Sequence, residues 1–190
     1  MQADNRPLYI FDLDGTMALI DHRRHLVEGK ETCPECKGSC FDPVTSDMCN
    51  HPCAMCNGSG KVKKKPDWKS LYDQCHLDAP NGPVIQTFKQ LYLIGAEIKI
   101  WSGREDSVKG KTVQWLYLHT GIQPHMIGQM LTMRPEGDYT PDEQLKRKWL
   151  NKLHPLERHR LTAVFDDRDK VVKMWRAEGV ACFQVAPGAF

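Results

Sequence analysis

The chain has 190 residues, 41% of them apolar and 26% charged, a composition that suits one α/β domain with a modest insertion. Its 26 basic and 24 acidic side chains leave a formal charge of +2, too balanced to mark a nucleic-acid binder on bulk electrostatics. No apolar stretch approaches the roughly 18 residues of a membrane span, and the polar N-terminus lacks the apolar core of a secretory leader. Six of the eight cysteines fall between Cys33 and Cys56. Without a leader, such clustering implies metal ligation in a reducing cytoplasm rather than a disulfide framework.

In chain order, the apolar run Leu8-Tyr9-Ile10-Phe11 predicts a strand that ends in Asp12-Leu13-Asp14-Gly15-Thr16. Residues 21–67 then break the pattern: rich in Cys, Gly, Pro and Lys, they predict a small metal-stapled module inserted after the first strand. Val84, Ile85, Phe88, Leu91 and Tyr92 recur at helical spacing over 83–93, with Gly95 as the stop. A strand over 97–101 leads into Ser102-Gly103-Arg104, a helix over 108–119 stops at Gly121, and a weak strand is expected over 127–133. Thr140-Pro141-Asp142-Glu143 reads as a capping box opening a helix to Leu153. A strand over 161–165 ends in Asp166-Asp167; a helix over 169–177 stops at Gly179; 180–185 is a last strand. This alternation implies a mostly parallel sheet covered on both faces, with 1–20 and 68–190 forming the core and 21–67 the insertion.

Ligands of open parallel sheets bind outside the carboxyl ends of the strands. Residues two apart on a strand share a face, so Asp12 and Asp14 point the same way, and Asp166-Asp167 close another strand. Carboxylates gathered in one crevice repel one another, and a hard divalent cation such as Mg²⁺ relieves the repulsion. One carboxylate can then attack a phosphorus, while the other protonates the leaving oxygen and later activates water. Asp166-Asp167 alone suit a solvated strand end equally well. Gly110-Lys111-Thr112 ends like a phosphate-binding P-loop, but Glu105 stands where that loop needs its first glycine.

The string Phe11-Asp12-Leu13-Asp14-Gly15-Thr16 resembles the first signature of the haloacid dehalogenase (HAD) superfamily of phosphohydrolases. Ser102, Lys146 and Asp166-Asp167 follow in the order of its other signatures. Three stretches are similar to the 3′-phosphatase domain of phage polynucleotide kinase-phosphatases. They are Trp101-Ser102-Gly103-Arg104-Glu105, the run from Ala163 through Asp166-Asp167-Arg168 to Arg176, and Gln184-Val185-Ala186-Pro187-Gly188. The likeness covers about 7–20 and 66–190. It implies a three-layer Rossmann-like HAD core with a cap inserted after the first strand, and Mg²⁺-dependent hydrolysis of a phosphomonoester. Asp12 would be the nucleophile, forming an aspartyl-phosphate, and Asp14 the general acid and base. Ser102 would donate to the phosphoryl oxygens, Arg104 would fork onto the phosphate, and Lys146 would neutralise charge beside Asp12. Lys148 and Lys152 share that helix, and a solvated face is the alternative for each lysine. Asp166 and Asp167 would hold Mg²⁺ with Asp12 and the main-chain carbonyl of Asp14. The substrate so implied is a 3′-phosphate on a DNA or RNA end; a free nucleotide or other small phosphoester is the alternative. A zinc-dependent module that binds nucleic acid or protein, its acids merely holding metal, is the alternative of another class.

Cys33-Pro34-Glu35-Cys36 and Cys53-Ala54-Met55-Cys56 are two C-x-x-C knuckles 16 residues apart, a spacing that closes a tetrahedral site of four thiolates for a structural Zn²⁺. Each is followed by glycine, and the pattern resembles the C-x-x-C-x-G-x-G repeat of DnaJ-class chaperones, with Cys40 in place of the first copy's last glycine. An insertion of about 45 residues buries little core and needs such a staple. Cys40, Cys49 and His51 are spare, Cys182 reads as a buried strand residue, and Cys75 has no assignment. Beyond the second knuckle, Lys61, Lys63, Lys64, Lys65 and Lys69 form a basic run near Trp68 and Tyr72. Lys63, Lys64, Lys65 and Trp68 suit the phosphates and bases of a single-stranded end, and a solvated linker equally. His22, Arg23, Arg24 and His25 would add to a basic rim.

Overall fold

A computed structural model describes residues 5–40 and 52–188. The first apolar run forms β1 (Leu8–Phe11), followed by β2 (Ala18–Leu19), α1 (Asp21–Arg24), β3 (Lys30–Thr32) and β4 (Lys61–Lys63). Next come α2 (Trp68–Asp73), β5 (Ala79–Pro80), α3 (Gly82–Leu93), β6 (Glu97–Glu105), α4 (Lys109–Thr120), α5 (Pro124–Met130) and β7 (Leu131–Arg134). The chain ends with α6 (Asp142–Lys152), α7 (Pro155–Arg160), β8 (Leu161–Asp166), α8 (Asp169–Ala177) and β9 (Cys182–Gln184). Two compact units result: Met1–Ile20 with Tyr72–Phe190, and Asp21–Leu71. The division falls inside α2, four residues beyond the boundary read from composition. Buried Leu71 explains the shift, because its carbonyl accepts from Arg23 Nη1 at 3.0 Å.

In the larger unit five strands lie in the order β7-β6-β1-β8-β9, every neighbouring pair parallel. β1 is central, as befits an unbroken apolar run that must be buried on both faces. Successive residues of β1 serve opposite layers. Phe11 packs with Val84, Ile85 and Phe88 of α3, Trp115 and Leu116 of α4 and Ile127 of α5. Ile10 packs with Leu150 of α6 and Val171, Met174 and Trp175 of α8. The result is three layers, helix–sheet–helix. Phe11 stacks on Phe165 with ring centres 4.4 Å apart, and the register sets these two residues side by side. The next residue on each strand, Asp12 and Asp166, therefore leaves the sheet at the same end.

Several elements differ from their sequence reading. The segment expected as a strand over 127–133 is α5 followed by β7; Pro124 at the helix start favours helix over the first part, a choice that short apolar runs leave open. β6 extends to Glu105 and so carries Ser102 and Arg104 within the strand. The expected Thr140 cap does not form: Pro141 occupies the N-cap of α6, while Thr140 Oγ1 accepts from Lys148 at 3.4 Å. α7 has no counterpart in the sequence reading. It starts with Pro155, and His154 and Glu157 cap it reciprocally, through Leu156 N–H to His154 Nδ1 and His154 N–H to Glu157 Oε2.

In the smaller unit β3 and β4 pair antiparallel, with Lys30 opposite Lys63 and Thr32 opposite Lys61. Of the expected basic rim, His22 and His25 are exposed, whereas Arg23 is wholly buried and Arg24 pairs with Asp21 and Glu28. Among the described residues no helix is long and apolar enough to cross a membrane.

Candidate active site

Asp12 follows β1, and its N–H donates to the carbonyl of Phe165 at 2.9 Å, which ties it to the end of β8. Asp12, Asp166 and Asp167 are buried, and each offers a carboxylate oxygen within 4.8 Å of the others. Lys146 enters on the buried face of α6 with Leu145 and Leu150. Its Nζ lies 2.5 Å from Asp12 Oδ1 and 2.8 Å from Asp166 Oδ2. Lys148 and Lys152 are exposed, so the fold selects one of the three lysines on this helix. Trp175 Nε1 donates to Asp166 Oδ2 at 3.3 Å, and Thr16 Oγ1 to Asp167 Oδ1 at 3.2 Å. Gly15 between them has φ +84°, and a Cβ there would sit 2.1 Å from Asp167 Oδ2. Both conformation and space require glycine in the Asp-x-Asp-Gly-Thr string.

Charge is poorly balanced in this pocket. Burial, reinforced by Asp166 and Asp167, holds the Asp12 carboxyl well above the usual carboxylate range, and Lys146 pulls it only partly back. Burial and then Asp166 push Asp167 up to about 6. Three carboxylates against one ammonium make an oxygen-rich, anionic cradle whose donor chemistry fits a hard divalent cation such as Mg²⁺. The carboxylate of Asp14 stands outside that group.

Asp14 is held instead by Arg104, whose Nη2 lies 2.6 Å from Oδ1 and whose Nε lies 3.0 Å from both oxygens. The same guanidinium reaches Asp78 Oδ2 at 2.5 Å and Thr112 Oγ1 at 3.4 Å, and Trp115 Nε1 anchors the Asp78 carbonyl at 2.8 Å. Arg104 is wholly buried. Burial opposes its charge, but Asp14 and Asp78 outweigh that and keep it protonated. The fork expected for a phosphate is thus taken by two carboxylates. Ser102, also fully buried, accepts the N–H of Arg104 at 3.2 Å. Thr112 and Lys111, the end of the P-loop decoy, are engaged with Arg104 and Asp73.

A second ionic cluster went unread in the sequence. Asp142 accepts from both Arg134 and Arg168. Arg134 Nε also donates to the Gly103 carbonyl at 2.8 Å, and a Cβ on Gly103 would lie 2.7 Å from Asp142 Oδ1. The glycine of Ser-Gly-Arg therefore makes room for Asp142. Arg168 is held in its charged form, against the pull of burial, by Asp142 first and then by Asp12, Asp167 and Asp166. It is the guanidinium that faces the anionic cradle. No motif marks Asp78 or Asp142. The Asp-Asp-Arg string contains Arg168 without revealing its direction.

In the smaller unit the sulfurs of Cys33, Cys36, Cys53 and Cys56 all lie within 4.8 Å of one another. Cys33 to Cys53 is 3.8 Å and Cys36 to Cys56 is 3.7 Å. Four sulfurs at the ~2.3 Å zinc–sulfur distance stand about 3.8 Å apart, so the thiol set fits tetrahedral zinc. The knuckles repeat each other in detail: Ser39 and Ser59 N–H bond to Cys36 and Cys56 carbonyls, and Cys33 and Cys53 N–H to Gly60 and Cys40 carbonyls. Cys40 takes φ +73° where Gly60 takes +69°, a strained conformation for a residue with a side chain, and it stays outside the four-sulfur group. Cys49 and His51 lie outside the described residues. Cys75 is buried in the larger unit's core, and Cys182 is half-buried on β9. Lys63 and Lys65 are exposed and Trp68 is 43% exposed, whereas Lys64 Nζ is tied to the His25 carbonyl at 2.9 Å.

Residues 51–190 match the family described as the polynucleotide kinase PNKP phosphatase domain, of HAD type. The matched span contains Ser102, Arg104, Lys146, Asp166 and Asp167; Asp12 and Asp14 precede it and join them only in three dimensions. Among solved structures, chains of two Pnkp1/Rnl/Hen1 complexes, one described as an RNA repair complex, superpose with TM-scores of 0.61 and 0.59 at 24% and 23% identity. The matches cover 100% and 98% of this chain but 46% and 48% of theirs, so the chain spans about half their length. A class C acid phosphatase from Bacillus anthracis superposes with a TM-score of 0.55 at 15% identity, over 98% of this chain and 68% of its own. At these identities the likeness is one of fold. The family match over most of the chain, together with the layered architecture, decides the matter: the chain belongs to the HAD-type polynucleotide kinase PNKP phosphatase domain family.

Proposed function

We propose that this HAD phosphatase removes a 3′-phosphate from the end of a polynucleotide, through a covalent phosphoryl intermediate on Asp12. The grouping of Asp12, Lys146, Asp166 and Asp167 at the ends of β1 and β8, in a chain of this family, carries the reading. Asp12 attacks phosphorus, the bond to the 3′ oxygen breaks, and Asp14 delivers a proton to that oxygen. Water then attacks the aspartyl-phosphate and gives its proton to Asp14, which releases inorganic phosphate, frees the Asp12 carboxylate and returns Asp14 to its protonated form. Asp12, Asp166 and Asp167, with the main-chain carbonyl of Asp14, would hold magnesium, which would neutralise charge on the phosphoryl oxygens.

Lys146 offsets charge at the attacking oxygen, which suits a reaction in which the protein mostly positions groups and balances charge. Arg104 works behind Asp14 rather than on the phosphate: its fork fixes the orientation from which Asp14 moves the proton. Ser102 is the hydroxyl donor for the phosphoryl group. The four cysteines would hold a structural zinc, with no position left open for chemistry. Lys63, Lys65 and Trp68 are the side chains offered to the rest of the nucleic acid, while Lys64 holds the module together. Initial rates on 3′-phosphorylated oligonucleotides, 5′-phosphorylated oligonucleotides and 3′-mononucleotides test the substrate. The expected order puts the 3′-phosphorylated oligonucleotide first by at least about tenfold in kcat/KM. Equal turnover of mononucleotides, without salt dependence, would overturn the polynucleotide assignment.

A further inference from the structure

The ribbon of β3 and β4 carries a charge pattern that the fold of its own unit does not use. Val62, in the middle of β4, packs against the four-cysteine cluster. Strand residues alternate between faces, so Lys61 and Lys63 on either side of it point away from that cluster. The antiparallel register places Lys30 directly opposite Lys63 and Thr32 opposite Lys61, which puts three lysines on one outer face. Glu31 pairs with Val62 on the other face. All three lysines are exposed, and among the described residues their ammonium groups make no ion pair.

Like charges placed directly across an antiparallel pair are unfavourable. An isolated ribbon gains nothing from the Lys30–Lys63 pairing, and the metal cluster, on the opposite face, is not neutralised by it. The missing partner is an extended anion. Lys61 and Lys63 are separated by two residues of strand, about 7 Å, a step that adjacent phosphates of an unstacked strand can follow. Lys30 widens the row into a track rather than a point site.

We propose that the Lys30, Lys61 and Lys63 face of this ribbon binds the phosphodiester backbone of a single-stranded polynucleotide whose terminal phosphate is the substrate. This deepens the polynucleotide reading above and rests on it, adding Lys30 and Lys61 to the Lys63 that reading already offers to the nucleic acid. Such contacts release counterions, so affinity should fall with salt by a slope of about 0.7 per phosphate for single strands.

The test uses the full zinc-loaded chain and the triple variant Lys30→Gln, Lys61→Gln, Lys63→Gln, with zinc content confirming the folded module. Binding of a fluorescent 3′-phosphorylated single-stranded oligonucleotide is followed by anisotropy across a salt series, beside steady-state kinetics on that oligonucleotide and on a small chromogenic ester. The expected result is at least about tenfold weaker binding and a matching rise in KM, with a salt slope shallower by about 2. Turnover number on the oligonucleotide, and both constants on the ester, should stay put. If the variant loses zinc, the single variant Lys30→Gln is read instead, with a slope shallower by about 0.7 expected. An unchanged KM and slope, in a wild-type protein that still prefers the oligonucleotide to a 3′-mononucleotide, would overturn this face and leave the polynucleotide reading standing. A wild-type protein that neither binds nor prefers the oligonucleotide would overturn both. Polyglutamate bound as tightly as the oligonucleotide would assign the face to acidic protein and overturn it as well.

Discussion

The two candidate metal sites are assembled in opposite ways. The four cysteines come from two eight-residue knuckles of matching conformation, and Val62 is the partly buried hydrophobic residue that packs on them. The carboxylate cradle takes Asp12 from the end of the central strand β1, Lys146 from a helix 134 residues later, and Asp166 and Asp167 from the end of β8. It sits at the end of a sheet with apolar layers on both faces. The difference teaches where each metal would act. A small unit with little core would depend on its ion for the fold itself. A cradle built on a buried sheet is already in place and would need its ion only for charge balance and chemistry.

Cys33→Ser should break the smaller unit most severely, because binding of a structural zinc is worth on the order of 10 kcal/mol to modules of this kind. Hydrogen exchange should show amides of Asp21–Leu71 exposed while β1, β6 and β8 stay protected. Hydrolysis of a small ester should continue, and oligonucleotide turnover should fall. Equal loss of protection in the sheet would mean that zinc supports the whole chain, and the contrast would fail.

Asp12→Asn should act the other way: phosphate release falls by roughly 10⁴-fold or more, with circular dichroism and melting temperature preserved. A melting temperature even slightly above wild type is consistent with relief of crowding among the three acids. Steady-state turnover within about a hundredfold of wild type would sink Asp12 as the attacking group.

Asp78→Asn probes the support behind the site. It removes one of the two carboxylates on a wholly buried guanidinium, so urea titration should show a loss of about 3 kcal/mol, the low end for a broken buried pair, because Asp14 remains. Activity should drop in kcat more than in KM, since Asp14 is then held less firmly. A purely structural residue would lower stability and leave kcat per folded molecule intact. The smallest effect belongs to Lys148→Ala, an exposed change within about 0.5 kcal/mol of wild type, whereas Lys146→Ala on the same helix should remove nearly all turnover.

Features encoded by neighbouring residues were open to reading in advance. Leu8 to Phe11 is a buried central strand because four apolar residues in a row suit nothing half-exposed. Gly95, Gly121 and Gly179, read as helix stops, adopt positive φ within two residues of the ends of α3, α4 and α8. The Asp-x-Asp-Gly-Thr string and the paired knuckles carry their own backbone conformations, which is why spacing alone exposes them. What the chain order could not reveal is which distant side chains meet. Arg104 meets Asp14 across 90 residues and Asp78 across 26, and this turns an expected phosphate ligand into a buried brace. The choice of Lys146 over Lys148, and the grip of Arg134 and Arg168 on Asp142, were decided in the same way, by the packing of α6 on the sheet and the pairing of β7 with β6. Local geometry follows from steric limits on a few adjacent torsions. Partnership among buried charges follows from the whole fold, because only the assembled sheet and helices set which groups lose water together.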